Sequence, residues 1–286
     1  MTMALPPHAS PLERVSYYGA RIFTGLVIVY LVAPILVVFP LSFTAGEILI
    51  FPMPGWTLRW YRDFFTNPLW TGAIRNSFSI AGAVSLLATT LGTLAALGLH
   101  RATFRGKSLV MALLVTPLAV PVVIVAVALY YFLSWLNLVG TYAGMVIGHT
   151  VVALPFVVIT VSATLEGFDP NMMRAGASLG APPHVVFRTI TLPLILPGVI
   201  SGALFAFVAS FDEIVIALFV ASPQQRTLPR QIFSGVSESI SPTITSAAVV
   251  LIVVSLGLMI AMELLRRRGE RLRAGTAAVG QGSPAR

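Results

Sequence analysis

The sequence predicts an all-α, polytopic membrane protein with six transmembrane helices. Of its 286 residues, 57% are hydrophobic and only 10% are charged, and the mean hydropathy is +0.90. A soluble domain needs more polar surface than this composition supplies. The apolar residues are also concentrated in six runs of roughly 20 or more residues, which is the length of helix that crosses the hydrocarbon core of a bilayer.

The first apolar run covers residues 22–43 and follows a polar segment, residues 1–21. This run is too long for the core of a cleaved signal peptide, so we expect a retained helix, bent at Pro34 and Pro40. Residues 45–75 then mix aromatic and polar side chains. That mixture predicts an interfacial helix at the level of the lipid headgroups, with substrate binding as the alternative role.

Five further apolar runs follow, and each predicts a transmembrane helix. They cover residues 76–99, 109–133, 141–165, 194–220 and 247–265. Small residues recur every three or four positions in the second run, which favours close approach of another helix. These small residues are Ala81, Ser85, Thr89, Gly92 and Ala96. Prolines predict kinks in the third and fourth runs. They are Pro117, Pro121 and Pro155.

Lysine and arginine are distributed unevenly between the two sides that six spans create. Thirteen of them fall in segments on the side of the termini, and five fall in segments on the other side. The positive-inside rule therefore predicts that both termini and the polar loop at residues 166–193 lie in the cytoplasm. We divide the chain into a cytoplasmic N-terminal segment (1–21), a transmembrane domain (22–265) and a basic cytoplasmic tail (266–286).

The sequence shows no pattern that carries catalysis or metal binding. It has no cysteine and four scattered histidines, and it lacks the phosphate-binding glycine loop, the nucleophile elbow and the metal-ligand spacings that mark such sites. We therefore predict no catalytic residue, no metal site and no cofactor in this chain. The net charge of +8 resides in short loops and at the C-terminus, which indicates membrane topology rather than nucleic-acid binding.

The polar loop contains a short predicted helix. Asp169 suits the N-cap, Pro170 suits the first helical position, and Gly180 suits the residue just past the end. The helix would be only about 15 Å long, too short to span a bilayer. Its apolar residues share one face, as expected of a helix that packs on a partner. They are Met172, Ala175, Gly176 and Leu179.

This loop resembles the cytoplasmic EAA loop of bacterial ABC-importer permeases with the MetI-like fold. Ala175, Gly180 and the Leu192-Pro193 pair match its pattern, whereas Arg174 replaces the usual Glu and Gly176 replaces an Ala. The resemblance implies that the loop forms a coupling helix seated on an ATPase subunit. The residues implied in that coupling are Met172, Met173, Arg174, Ala175, Gly176, Leu179, Gly180 and Ala181.

The resemblance also implies a set of partners and a location. It implies a second homologous permease, a pair of identical ATPase subunits that bind ATP and Mg²⁺, and an extracytoplasmic substrate-binding protein. The assembly would lie in the lipid bilayer of a bacterial cytoplasmic (inner) membrane. Nucleic acid has no role in such an importer. ATP hydrolysis would take place in the partner, so this chain would be a non-catalytic permease subunit.

Two adjacent carboxylates, Asp212 and Glu213, lie inside the fifth apolar run. Ionisable groups at membrane depth face protein or a water-filled cavity. Counting from Leu194 places them about 27 Å along the helix, near the external mouth. They would form a cation-attracting lining of the path, or be satisfied by backbone amides and by arginines of neighbouring subunits. Tyr130 and Trp135 would add cation–π contacts or serve only as interfacial anchors.

The stretch around these carboxylates narrows the resemblance to one branch of the permeases. SFDEIVIALF, followed by Thr-Leu-Pro at residues 227–229, is similar to the permeases that import spermidine and putrescine. The implied substrate is a small organic cation. The alternatives are an ABC permease for an amino-acid derivative or a phosphonate, or a secondary transporter.

Gly198 and Gly202 form a G-x-x-x-G pattern directly after Pro197. This spacing favours close packing of another helix, which we place in a heterodimer of permeases. The alternative is a gate hinge at Pro197 and Gly198.

Overall fold

A computed structural model describes residues 10–167, 170–238 and 241–280 of the chain, and this part is almost entirely helical. Its elements are α1 (Pro11–Leu41), α2 (Arg59–Thr66), α3 (Pro68–Arg101), α4 (Lys107–Val115), α5 (Val122–Trp135), α6 (Tyr142–Glu166), α7 (Pro170–Ser178), α8 (Pro183–Val186), α9 (Leu192–Phe211), α10 (Val215–Val220), α11 (Leu228–Glu238) and α12 (Pro242–Gly280).

Five stretches of helix in the described residues are long and apolar enough to cross a membrane. They are Pro11–Leu41, Pro68–Arg101, Tyr142–Glu166, Pro183–Phe211 and Pro242–Leu264. A bent pair, α4 with α5, makes a sixth when it is counted as one span. The all-α fold is therefore confirmed, and the prediction of six spans holds with the bent pair as the third.

The third span is more strongly bent than a proline kink predicts. Its two halves meet at 102°, with a short 3₁₀ turn at Thr116–Leu118 between them. Pro117 and Pro121 lie four residues apart and both lack a backbone N–H, so neither can bond to a preceding carbonyl. The helix consequently ends at Val115 and starts again at Val122.

The sequence predicts one continuous helix over residues 194–220, and this prediction is wrong. Helix α9 ends at Phe211, and the separate short helix α10 begins at Val215. Glu213 explains the new start, because its carboxylate Oε1 accepts a hydrogen bond from the backbone N–H of Ile216 at 2.9 Å. An acidic side chain at this position satisfies a donor that the first turn of a helix leaves free.

Residues 45–75 are only partly helical. Helix α2 covers Arg59–Thr66, and α3 already begins at Pro68. The chain before α2 folds back instead, with an isolated antiparallel bridge between Thr44 and Trp56. The indole N–H of Trp60 donates to the Thr44 carbonyl at 2.8 Å. The predicted single interfacial helix is thus replaced by a loop and an eight-residue helix.

Helices α3, α6 and α9 form the core of the larger compact unit, residues 65–234 and 251–286. The small residues predicted to admit another helix do so: a Cβ on Gly92 would lie only 2.8 Å from the Cβ of Val157 on α6. The hydroxyl of Ser85 donates to the Ala203 carbonyl on α9 at 2.7 Å. This core holds α9 in place and thereby fixes the position of its last residues.

The Thr-Leu-Pro stretch at residues 227–229 lies at the start of α11 and is fastened to α3. The amide Nδ2 of Asn76 donates to the carbonyls of Gln224 and Arg226 at 2.8 and 3.0 Å. The Leu228 N–H donates to Ser77 Oγ at 2.7 Å. The stretch therefore has a structural role, because it anchors the connection that follows α10.

Candidate coupling surface and substrate path

The predicted coupling helix is α7, and Gly180 ends it as expected. Gly180 has φ +79°, a left-handed conformation that side chains other than glycine and asparagine adopt at a cost. The Gly180 N–H donates to the Ala177 carbonyl at 3.0 Å, and the Ala181 N–H donates to the Gly176 carbonyl at 3.3 Å. This pair of bonds is a Schellman motif. Asp169, the predicted N-cap, lies outside the described residues.

The apolar face of α7 is divided between a buried and an exposed part. Gly176 is buried, and a Cβ added there would lie 2.8 Å from Ile190 Cδ1 and 3.4 Å from Val186 Cγ2. Met172, Ala175 and Leu179 are exposed, with Leu179 at 88%. Glycine at the position of the usual alanine therefore allows α7 to lie against the helix that follows it, while three apolar side chains remain available to a partner.

One arginine lies on α7 and a second contacts it. Arg174 is exposed and reaches the Asn171 carboxamide Oδ1 at 3.4 Å. Arg101, at the end of α3, donates to the Met173 sulfur at 3.1 Å. Helix α7 therefore contacts the C-terminal end of α3, and Arg174 places a positive charge where the pattern of the EAA loop has a negative one.

The helix that supports α7 leads directly into α9. It passes through a π-helical turn at Phe187–Thr191, next to Pro193. A proline has no N–H and its ring crowds the preceding carbonyl, so the wider π turn accommodates it. Short π segments are frequent at functional sites in helices. A displacement of α7 would reach α9 through Val186, Ile190 and this turn.

Asp212 lies directly after α9, at the break, and its side chain is exposed. Its Oδ1 accepts a hydrogen bond from the hydroxyl of Ser255 on α12 at 3.2 Å. Ser255 comes thirteen residues after Pro242, near the middle of the 23-residue candidate span Pro242–Leu264. Asp212 therefore lies directly after the candidate span Pro183–Phe211 and beside the middle of the candidate span Pro242–Leu264. Its predicted place near the external mouth stays a prediction.

A groove between α9 and α12 contains Asp212. It has a volume of about 360 Å³, and apolar side chains such as Val208, Leu256 and Met259 form most of its wall. A carboxylate in such a wall attracts a cation strongly, because the surrounding dielectric constant is low. Neither Tyr130 nor Trp135 lines this groove; the latter is 78% exposed.

The two adjacent carboxylates make different contacts in the structure. Glu213 caps α10 by accepting a hydrogen bond from the Ile216 N–H. This contact matches the alternative in which a backbone amide, and not a substrate, pairs with the carboxylate. Asp212 instead faces the groove. Ser255, which lines this groove and donates to Asp212, was absent from the sequence prediction.

The partner of the G-x-x-x-G pattern is α6 of the same chain. A Cβ on Gly198 would overlap the Thr164 hydroxyl and lie 2.8 Å from Thr164 Cβ, and one on Gly202 would lie 3.2 Å from Val157 Cα. The prediction that these glycines pack against a second permease is therefore wrong, because they pack against α6 of the same chain. The pattern indicates close packing but does not indicate which helix packs. Helix α9 continues through Pro197, and the hinge stays a prediction.

We expect Gly198→Ala to lower the free energy of unfolding by about 1–3 kcal/mol, the usual cost of overpacking. The matched control is Gly82→Ala, since a Cβ there meets no atom within 4 Å. Thermal unfolding of the purified protein in detergent measures both. Equal transition temperatures for the two variants would contradict the close contact of α9 with α6.

Sequence comparisons place the chain among transport proteins. Residues 88–271 match the family model described as "Binding-protein-dependent transport system inner membrane component". The spermidine/putrescine transport system permease protein PotC of Escherichia coli (strain K12) is 33% identical over 245 residues, which cover 86% of this chain and 92% of that protein. The putrescine transport system permease protein PotI of the same strain is 34% identical over 230 residues, covering 78% and 82%.

More distant similarities extend to other substrates. The trehalose transport system permease protein SugB of Mycobacterium tuberculosis (strain CDC 1551 / Oshkosh) is 28% identical over 90% of this chain and 94% of its own. Among solved structures, a bacterial ABC transporter involved in the import of the acidic polysaccharide alginate aligns with a TM-score of 0.69 and 14% identity over 92% of this chain and 99% of that one. At that identity the similarity shows the fold.

Proposed function

The chain belongs to the family of binding-protein-dependent transport system inner membrane components, and from this membership we propose that it forms part of the path for a polyamine such as spermidine or putrescine. It is a permease subunit of an ATP-driven ABC importer and a multi-span protein of the bacterial inner membrane.

The choice of a polyamine as the substrate rests chiefly on Asp212. Asp212 is exposed at the break after α9, beside the candidate span Pro242–Leu264, and lies in an apolar groove, so it would attract an ammonium group there. Two permeases named for spermidine or putrescine are also 33% and 34% identical to the chain over more than three quarters of its length. An anion would be repelled by this carboxylate, and a neutral sugar could donate hydrogen bonds to it but would gain no charge–charge attraction.

We further propose the partners and the topology. Both termini and α7 lie on the cytoplasmic side, with residues 22–265 as the membrane domain between a short N-terminal segment and a basic tail. The exposed face of Met172, Ala175 and Leu179 contacts one of two ATPase subunits, which bind ATP and Mg²⁺. A second permease completes the path, and an extracytoplasmic binding protein delivers the substrate.

The mechanism follows the contacts of this chain. Closure of the ATPase pair on ATP would move α7, and the packing of Gly176 against Val186 and Ile190 would pass the movement into α9. Helix α9 ends beside Asp212, so the same movement would change the surroundings of that carboxylate. The importer thereby shifts between two access states, which its partners bias.

The test is the ATPase activity of the assembly in nanodiscs, with the binding protein supplied empty or loaded with spermidine, putrescine or a zwitterionic amino-acid derivative. We expect the two polyamines to raise the rate and the zwitterion to leave it near the value for the empty protein. Stimulation by the zwitterion alone would reject the polyamine and retain the permease. Absence of an ATPase from the purified assembly would reject the proposed partners.

A further inference from the structure

A buried histidine of α6 contacts the end of α9. His149 is only 1% exposed. Its ring nitrogen Nδ1 lies 3.2 Å from the carbonyl oxygen of Ser210 and 3.0 Å from the Ser210 hydroxyl oxygen. Ser210 is itself buried and lies two residues before Asp212 in the chain. The imidazole therefore contacts the chain directly before the break between α9 and α10.

The chemistry of Ser210 assigns the hydrogen of this imidazole. A carbonyl oxygen only accepts hydrogen bonds, so Nδ1 carries the hydrogen and donates it to Ser210. The other ring nitrogen, Nε2, is then an acceptor, and it has no hydrogen-bond partner among the residues that the structure describes. A buried polar atom without a partner destabilises a fold. An apolar side chain would therefore serve packing alone better than His149 does.

The break in the helix explains why the Ser210 carbonyl needs this donor. In an uninterrupted α-helix, the carbonyl would accept a hydrogen bond from the N–H of Ile214, four residues later. Helix α9 instead ends at Phe211, and the Glu213 N–H reaches the Ser210 oxygen only at 3.4 Å, which is long for such a bond. The Nδ1–H of His149 supplies a donor in its place and thereby favours the broken conformation.

Helix α6 also contacts the other side of the break. A Cβ on Gly148, the residue before His149, would lie 3.0 Å from Ile216 Cγ2 in α10. The N–H of Ile216 is the donor that Glu213 accepts where α10 begins. Two consecutive residues of α6 therefore contact the end of α9 and the first turn of α10. Asp212 lies between these two contacts in the chain and lines the groove beside α12.

We propose that His149 is a positioning residue for Asp212, because its Nδ1–H fixes the last turn of α9 and thereby fixes the place of the Asp212 carboxylate in the groove. Without this donor, the Ser210 carbonyl would regain a helical partner only if α9 extended to Ile214, and such an extension would disturb the start of α10. The end of α9 would then lose its fixed position beside α12. This inference rests on the proposed function, in which Asp212 attracts the substrate.

The first test measures the position of residue 212 by cross-linking. The chain has no cysteine, so Asp212→Cys combined with Ser255→Cys introduces its only two thiols, at positions whose side chains are in contact. The rate of disulfide formation with copper phenanthroline is measured in the complete nanodisc assembly, with His149 unaltered, His149→Asn or His149→Gln. The amide nitrogen of asparagine is attached to Cγ, as Nδ1 is, whereas that of glutamine lies one carbon further out. We expect a rate within about threefold for His149→Asn and at least tenfold lower for His149→Gln.

The second test measures spermidine uptake with Asp212 and Ser255 intact. We expect His149→Gln to raise the apparent KM at least tenfold and to leave the maximal rate within about threefold, whereas His149→Asn leaves both near normal. The matched control for both tests is Thr150→Val. Thr150 is the next buried residue of α6, and its hydroxyl donates to the Val146 carbonyl of the same helix at 2.6 Å.

Three cross-linking results would overturn the inference. Equal rates for His149→Gln and the unaltered protein would show that the contact fixes nothing. Slow cross-linking in His149→Asn would show that the ring acts by packing and not by its donor. The same slowing in Thr150→Val would indicate a general loosening of α6. Slow cross-linking in His149→Gln with an unchanged KM would instead support the positioning role and reject Asp212 as a contact of the substrate, which is the proposed function.

Discussion

Gly180→Val is expected to uncouple ATP hydrolysis from transport. The residue stands in the left-handed region, with φ +79°, and a β-branched side chain there costs about 1–3 kcal/mol of backbone strain. The end of α7 would unwind to relieve the strain, and both bonds of the Schellman motif would be lost. Since 1.4 kcal/mol is a factor of ten, we expect transport per ATP hydrolysed to fall by roughly 5- to 150-fold.

Two controls isolate the cause of that loss. A Cβ on Gly180 meets no atom within 4 Å, so the expected effect comes from the backbone and not from a clash. Gly180→Asn should retain most of the coupling, because asparagine tolerates the left-handed conformation. Gly167→Val carries the same side chain at φ −86° and should leave coupling near normal. Normal coupling in Gly180→Val, measured in nanodiscs as substrate transported per ATP, would remove this role for the glycine.

Features set by neighbouring residues could be predicted from the sequence. The predicted span 141–165 and helix α6, Tyr142–Glu166, differ by one residue at each end. The start could be predicted because Thr141 caps the helix, accepting a hydrogen bond from the Gly144 N–H at 3.0 Å. The end of α7 at Gly180 could be predicted for the same reason, since a glycine just past a short amphipathic stretch favours the left-handed cap.

Features set by contacts between distant residues could not be predicted. Ser255 is 43 residues from Asp212 in the chain, and no local pattern indicates that they meet. The continuous fifth span was expected because its apolar residues continue past Asp212, whereas Glu213 starts a new helix. The G-x-x-x-G pattern requires a close helix, but only the packed structure identifies α6. The 102° bend between α4 and α5 likewise depends on how α5 packs in the folded protein.

Asp212→Asn is expected to have the largest effect on transport of any single substitution at the site. Asparagine has the same size, and its carboxamide oxygen can still accept the hydrogen bond from Ser255, so the change removes the charge and little else. Two unit charges 4 Å apart interact by about 4 kcal/mol at an effective dielectric constant of 20. We therefore expect uptake of both spermidine and putrescine to fall by roughly 100-fold or more.

Two further variants separate the charge from the hydrogen bond at this position. Asp212→Glu keeps the charge and should retain at least a tenth of the uptake. Ser255→Ala removes the hydroxyl that donates to Asp212 but leaves the carboxylate in the groove, so it should lower uptake by no more than about fivefold, the equivalent of one hydrogen bond of roughly 1 kcal/mol. If Ser255→Ala were as damaging as Asp212→Asn, the carboxylate would act by joining α9 to α12 and not by attracting the substrate. Uptake per assembled complex, measured with radiolabelled amine in vesicles, distinguishes these roles because a binding carboxylate requires its charge and a structural one requires its partner.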